Sequence, residues 1–364
     1  MEHQAELMTT IRWQTAGMGA WGALGSPFYH ALCEGLAVDV ERDGPASRVL
    51  APFAGAPPEA AYVLRLLGGV HRLVLSGEAP DLAKHFPSVG GDGDGAAAVV
   101  AMRDLLVDPP AAVLDALARP PQTNEVGRSV ALTSGLLVIA REVALPVALR
   151  EVGASGGLNL RPDSYWFEQD GVSWGNDASP VRFVDLWRGG VPPFGAGLEI
   201  VDRRGCDRDP IDATSTDGAV TLLSYVWPEP SERFQRARDA LTLARETPVT
   251  IDRADAASWL GAQLDPRQPG TALVVYHSVV WQYLDAPTRA AVREQLAHAG
   301  RRATADTPLA WLRLEPHPST YAPAELRLTL WTGRATGPDE RLLATTSFHG
   351  GPITWLADPD RSVG

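Results

Sequence analysis

Over the first third of the chain, apolar residues recur every three or four positions; beyond residue 121 they collect into short unbroken runs. Residues 26–40, 58–67 and 96–106 carry the helical spacing, and Gly44-Pro45, Pro57-Pro58 and Pro109-Pro110 separate them. A helical domain over residues 1–120 is expected. Thr123 is placed to cap a helix running through Gly127 and Arg128 to about Val143, after which a strand begins at Pro146. Further apolar runs at 198–206, 248–251, 271–275 and 309–314 read as strands, with helical spacing at 234–243 and 287–298 between them. Alternation at 326–331 and 341–346 predicts a closing hairpin. Residues 164–167, 172–174 and 181–184 alternate around Gly171 and Gly175-Asn176, so a hairpin insertion is expected near 161–195. The pattern predicts an α/β fold over residues 121–364. It is a doubly wound, mostly parallel, Rossmann-like sheet with a terminal antiparallel hairpin, preceded by the helical domain.

Candidate chemistry gathers where these strands end. The first strand runs out in Glu151-Val152-Gly153-Ala154-Ser155-Gly156-Gly157-Leu158-Asn159-Leu160, an acid followed by a turn of small residues. Such a turn lets a ligand approach the backbone more closely than a Cβ would permit. Its plain structural reading is an ordinary strand-to-helix turn. Asp207, Asp255, His277 and Glu315 end the next four predicted strands, the positions at which open α/β sheets build pockets. Asp207 is the first candidate for a ribose contact and Asp202 the second. On the preceding helix, Asn124 and Arg128 share a face with Glu125 beside it, offering an arginine to a carboxylate and an acid or amide to an amine. The alternative is a solvated first turn. Tyr165, Trp166 and Trp174 in the insertion are either a lid or packing. Gly90-Gly91-Asp92-Gly93-Asp94-Gly95 lacks the later oxygen ligands and closing Glu of a calcium loop, so a flexible linker is expected. Trp227-Pro228-Glu229-Pro230 is either a loop shaping an acceptor site or a proline-terminated strand.

Composition narrows the class. The chain has 364 residues, 45% hydrophobic and 21% charged, enough to bury a substantial core. A net charge of −12 argues against a broad nucleic-acid footprint, which needs clustered positive charge. Cys33 and Cys206 are isolated, so neither a disulfide framework nor a zinc site is indicated. The amino terminus carries Glu2, Glu6 and Arg12 with no apolar stretch of signal length, and no window approaches a membrane span. A cytoplasmic protein with a small-molecule partner is expected, with neither nucleic acid nor membrane. A homodimer is left open.

Several stretches carry a resemblance. Gln122-Thr123-Asn124-Glu125, the turn from Glu151 to Leu160, Gly205-Cys206-Asp207, Tyr225-Val226-Trp227-Pro228 and His277-Ser278 resemble the uncharacterised domain of unknown function 2332 family over most of the chain. The family name implies no activity. The spacing Glu-x-Gly-x-Ser-x-Gly from Glu151 to Gly157 also resembles the first motif of S-adenosylmethionine-dependent methyltransferases, across roughly residues 124–356. That resemblance implies S-adenosylmethionine as cofactor, with Glu151, Gly153, Ser155 and Gly157 at its methionine end. It also implies Asp207 at the ribose and Asp255 at the adenine amino group. Ser155 stands where the usual central glycine would allow close approach. Asn124, Glu125, Arg128, Asn159 and Tyr165 would then face the substrate. His277 is the candidate base, since its ordinary pKa lies near neutrality, with Tyr276 beside it. His317 and Tyr321 are weaker candidates, and Trp281 and Tyr283 offer π-faces to a sulfonium or ammonium. The reading is a small-molecule transferase, most simply a methyltransferase. The alternatives are a hydrolase pairing Ser155 or Ser278 with His277, and a non-catalytic binding module on the same fold.

Overall fold

The computed structural model describes residues 2–20, 25–57, 60–229, 231–317, 323–333 and 337–357. The chain opens with helices α1 (Glu2–Ala20), α2 (Pro27–Glu41), α3 (Pro45–Leu50), α4 (Tyr62–Leu75), α5 (Pro80–Ala83), α6 (Gly95–Leu105) and α7 (Ala111–Ala118). Local chemistry sets several boundaries. Ser26 accepts the Tyr29 N–H and Pro27 occupies the first helical position, so α2 starts there. The segment expected to be a flexible linker is instead a capping turn. Asp94 accepts the N–H groups of Ala96 and Ala97 to start α6, and Asp92 accepts the N–H of Asp94. The helix expected over 58–67 is found as α4, which begins only at Tyr62 and continues to Leu75; residues 58 and 59 lie outside the described residues. It runs on through Gly68 and Gly69 because both glycines are points of close packing. A Cβ on Gly68 would stand 2.5 Å from the Tyr225 ring, and one on Gly69 would stand 2.9 Å from the Ala116 Cβ. Leu32, Leu36, Leu66, Val70, Phe86 and Met102 lie at the centre of this helical core, each worth about 1.5–3 kcal/mol of burial.

The second half alternates strands and helices. It comprises α8 (Ser129–Val143), β1 (Val147–Val152), β2 (Trp166–Gln169), β3 (Val172–Gly175), β4 (Arg182–Val184), β5 (Trp187–Arg188) and β6 (Ile200–Asp207). Then follow α9 (Thr216–Ser224), α10 (Glu232–Glu246), β7 (Thr250–Arg253), α11 (Ala256–Gln263), β8 (Ala272–Ser278) and α12 (Ala286–Arg301). The last strands are β9 (Leu309–Pro316), β10 (Ala324–Trp331), β11 (Asp339–Thr346) and β12 (Ile353–Trp355). Thr123 does not begin α8. A single 3-10 turn, Val126–Arg128, precedes that helix, and Glu125 caps the turn by accepting the Gly127 N–H. The insertion forms its own three-stranded sheet, β3-β2-β4, in which β2 and β3 are the expected hairpin and β4 adds in parallel.

The main sheet is nine-stranded, in the order β5-β12-β11-β10-β9-β8-β1-β6-β7. Strands β7, β6, β1, β8 and β9 are mutually parallel, while β10, β11 and β12 add antiparallel and contain the expected closing hairpin. The fold is therefore α/β with a mostly parallel sheet. After β1 the chain builds outwards through β6 and β7, then returns to the other side of β1 for β8 and β9. One face of these strands carries Val152, Cys206, Leu273, Val275 and Trp311, packed with Trp259, Leu260, Val292 and Leu296 of α11 and α12.

Two compact units result: Met1–Thr123 with Ser215–Arg238, and Asn124–Thr214 with Asp239–Gly364. Helix α9 and the first half of α10 thus belong with the helical unit, although they lie between two strands of the sheet in sequence. Within that unit, Trp227 packs on the helical core and under the Arg233 guanidinium. Glu229 accepts the Ser26 hydroxyl and the Phe28 N–H. The Trp227 segment therefore ties the helical unit together; Pro230 lies outside the described residues.

Candidate functional site

Because β7, β6, β1, β8 and β9 run parallel, the acids and histidine that end them share one edge of the sheet. The direction of strand succession reverses at β1, and open α/β sheets hold ligands at such a point. The turn after β1 is tightly built. Gly153, Ser155 and Gly157 have φ of 71°, 52° and 68°. The N–H groups of Gly153 and Ala154 both donate to the Cys206 carbonyl at 2.9 Å, stitching the turn to β6. The Cβ-facing sides of the glycines are filled by protein. A Cβ on Gly153 would lie 2.4 Å from Val280 Cγ2, and one on Gly157 would lie 2.8 Å from Ile251 Cδ1 and Val249 Cγ2. These glycines therefore admit close packing by neighbouring side chains.

Asp207 sits against this turn. Its two carboxylate oxygens accept the Ser155 and Asp209 N–H groups, each at 2.9 Å. One lone pair on each oxygen is used, and a carboxylate offers about four acceptor sites, so capacity for a pair of hydroxyls remains. Asp202, the second ribose candidate, is displaced from the site. It pairs across the sheet with Ala148, well before the strand's end, and its carboxylate is bound by Arg150 at 2.6 Å. Asp255 caps α11 by accepting the Ala257 and Ser258 N–H groups on one oxygen, while its other oxygen lies 3.5 Å from Arg208.

Glu151 is 2% exposed. Burial pushes its pKa up to about 8, against the pull of Arg128 and Arg161, and the nearby Asp207 charge pushes the same way as burial. The Tyr276 hydroxyl lies 3.5 Å from Glu151 Oε2 and donates at 3.0 Å to the Asn159 carbonyl. Arg161, which the sequence reading missed, is almost wholly buried and braces the turn by donating to the carbonyls of Gly157 and Thr247, both at 2.6 Å. Its one sequence signal is a charge directly after Leu160, at the end of the small-residue turn.

The residues expected to face a substrate also hold the fold together around the turn. Asn124 Oδ1 accepts the Leu158 N–H, and Asn159 accepts the Ser129 hydroxyl while its amide points to the Glu125 carbonyl. Glu125 is buried on the Gly127 N–H, and Arg128 donates to the carbonyls of Phe348 and Ser278. Tyr165 is fully buried with its hydroxyl on the Leu158 carbonyl, its ring meets Phe183 edge-on, and Phe167 stacks on Phe183 with Trp174 tilted against it. Tyr165 is therefore a packing residue of the insertion, while Trp166 and Trp174 are half-buried.

His277 and Tyr276 do not converge. Neighbours on a strand leave opposite faces: Tyr276 turns to Glu151, whereas His277 lies with Trp281 and Trp311. His277 Nδ1 is 2.6 Å from Glu315 Oε1, and Glu315 also accepts the Val280 and Trp281 N–H groups. Trp281 already stacks on the His277 imidazole and under the Arg293 guanidinium, both at 5.0 Å, so its π-surface is engaged. Ser278 follows His277 directly and leaves the opposite face, so no Ser278–His277 nucleophilic pair forms. The Ser155 N–H and carbonyl are taken by Asp207 and Ile211. His317 lies 4.0 Å from Glu325, and Tyr321 lies outside the described residues.

Among the described residues no group of three or more His, Cys, Asp or Glu side chains is set to hold a metal ion. No described helix is long and apolar enough to cross a membrane. Both cysteines are free and buried, and burial pushes each thiol up to about 12. No curated protein and no solved structure matches the chain. The family model described as "Uncharacterized protein conserved in bacteria (DUF2332)" matches residues 14–355, so the chain belongs to that family.

Proposed function

We propose that the chain is an S-adenosylmethionine-dependent transferase acting on a small molecule, most simply by methyl transfer. The observation that carries this reading is Asp207. It ends the strand next to β1, its carboxylate is oriented by the Ser155 N–H of the small-residue turn, and it keeps acceptor capacity for two vicinal hydroxyls. The order of the parallel strands, 3-2-1-4-5 when numbered along the chain, is that of doubly wound nucleotide-binding sheets. The donor set suits the cofactor: Asp207 would hold the ribose, and Glu151 would take the ammonium. The bound cofactor would supply an electrophilic carbon on a sulfonium. Asp255 is committed to its helix cap and enters the reading only through its second oxygen.

The protein's own contribution is orientation and electrostatics. Positioning an acceptor in line supplies much of the rate in such displacements, and few side chains need to exchange protons. Glu151 holds a proton at neutral pH. A cation placed beside it favours the ionised form, so binding expels that proton and affinity rises with pH up to about 8. Calorimetric titration with S-adenosylmethionine and S-adenosylhomocysteine tests the reading. Saturable binding of both is expected, and both should show a buffer-dependent enthalpy below pH 8 from the released proton, since both carry the ammonium that Glu151 would take. A folded protein that binds neither compound would overturn the proposal.

A further inference from the structure

The helical unit contains a second group of reactive side chains, distinct in composition from the strand-end acids. His71 on α4 is fully buried, with Nε2 2.8 Å from the Ser88 hydroxyl. Its Nδ1 lies 3.1 Å from the Ser224 carbonyl oxygen and 3.2 Å from the Tyr29 hydroxyl. A carbonyl oxygen only accepts, so the Nδ1 proton satisfies Ser224, and that tautomer leaves Nε2 to accept the Ser88 O–H. Burial lowers the imidazole pKa to about 4, so the ring is neutral throughout the physiological range.

Ser88 is half-buried and opens on a cavity of about 380 Å³, whose wall includes Phe234, Gln235 and Arg238. That volume lies within the range of small-molecule sites, roughly 300–1,000 Å³. The Phe234 ring stands 6.2 Å from the His71 ring, so an apolar surface adjoins the pair. A hydroxyl hydrogen-bonded to a neutral imidazole, which is itself oriented by a third group, is the arrangement of an activated nucleophile. Here the Ser224 carbonyl does the orienting.

We propose that Ser88 and His71 form an acyl-transfer pair for a carboxylic ester with a small acyl group, housed in this cavity. The Ser88 oxygen bonds to the ester carbonyl carbon as its proton passes to His71 Nε2. The bond from that carbon to the alkoxy oxygen breaks, and the leaving alcohol takes the proton back from His71. Water repeats the sequence on the acyl-serine, releasing the acid and restoring Ser88. This pair stands independently of the transferase reading, since it shares none of its residues.

The full-length protein is treated with a fluorophosphonate ester and the adduct is located by peptide mass spectrometry. An adduct on Ser88 is expected, absent in Ser88→Ala and formed at least about 100-fold more slowly in His71→Gln, the usual scale of a lost general base. Ser88→Ala retains His71 and both Nδ1 contacts, so its fold, checked by thermal melting, does not depend on the deleted hydroxyl. No Ser88 adduct on cooperatively melting wild-type protein would overturn the proposal, as would an unchanged labelling rate in His71→Gln.

Discussion

At the scale of single residues, Glu151 is the group whose chemistry is most altered by the fold. Its ordinary value is 4.5 and burial raises it to about 8. Between those limits the folded chain keeps a proton that the unfolded chain releases. Stability from this group is therefore full at low pH, falls as pH rises through the window, and is flat above it. Glu151→Gln mimics the protonated form and removes the slope. Thermal melts from pH 5 to 9 should show wild type losing stability relative to this variant, by a few kcal/mol at the alkaline end. Parallel curves for the two proteins would mean that Glu151 is not held protonated. Asp255 invites a different test, because the sequence marks it as a ligand residue and the structure as a helix cap. Asp255→Ala should cost about 1 kcal/mol in urea unfolding, and Asp255→Asn, an equally good cap, should recover most of that loss. An Asn variant as damaged as the Ala variant would show that capping is not its task.

At the scale of elements, the turn after β1 was legible as a turn but not in what fills it. The run of small residues correctly marks backbone that bends with positive φ. The sequence does not reveal that Val280, Val249 and Ile251, distant along the chain, occupy the space the missing Cβ atoms leave. Gly153→Ala sets a methyl 2.4 Å from Val280 in a left-handed conformation, which should cost about 2–4 kcal/mol in chemical denaturation. Adding Val280→Ala should recover only part, because the backbone strain remains. A glycine variant as stable as wild type would mean that the turn repacks freely. Helix α4 teaches the converse. Gly68-Gly69 reads locally as a helix end, yet Tyr225 and Ala116 approach so closely there that only glycine fits, and the helix continues to Leu75. Strand periodicity placed the acids at strand ends, but which face each side chain leaves depends on registration. Tyr276 and His277, adjacent in sequence, separate in space for a simpler reason, since neighbours on one strand leave opposite faces.

At the scale of the whole molecule, alternation of strand and helix was enough to read an α/β sheet with a closing hairpin, because periodicity is a local property. The return of residues 215–238 to the helical unit was not readable, since a helix between two strands is ordinarily a crossover. Its consequence is testable. Ser224 bonds His71 and Tyr225 fills the space over Gly68, so a fragment of residues 1–120 lacks part of its own core. That fragment should melt without a cooperative transition by circular dichroism, and a sharp transition would show the returning segment to be dispensable. The central claim, that the edge of the sheet at β1 and β6 takes S-adenosylmethionine, depends on one carboxylate and not on its near neighbour along β6. The most direct measurement is calorimetric titration of S-adenosylmethionine into wild type, Asp207→Ala and Asp202→Ala, each first shown to be folded. Wild type and Asp202→Ala should bind alike, and Asp207→Ala should lose at least about tenfold in affinity, equivalent to ~1.4 kcal/mol. Binding unaffected by Asp207→Ala, or absent from all three proteins, would contradict the account.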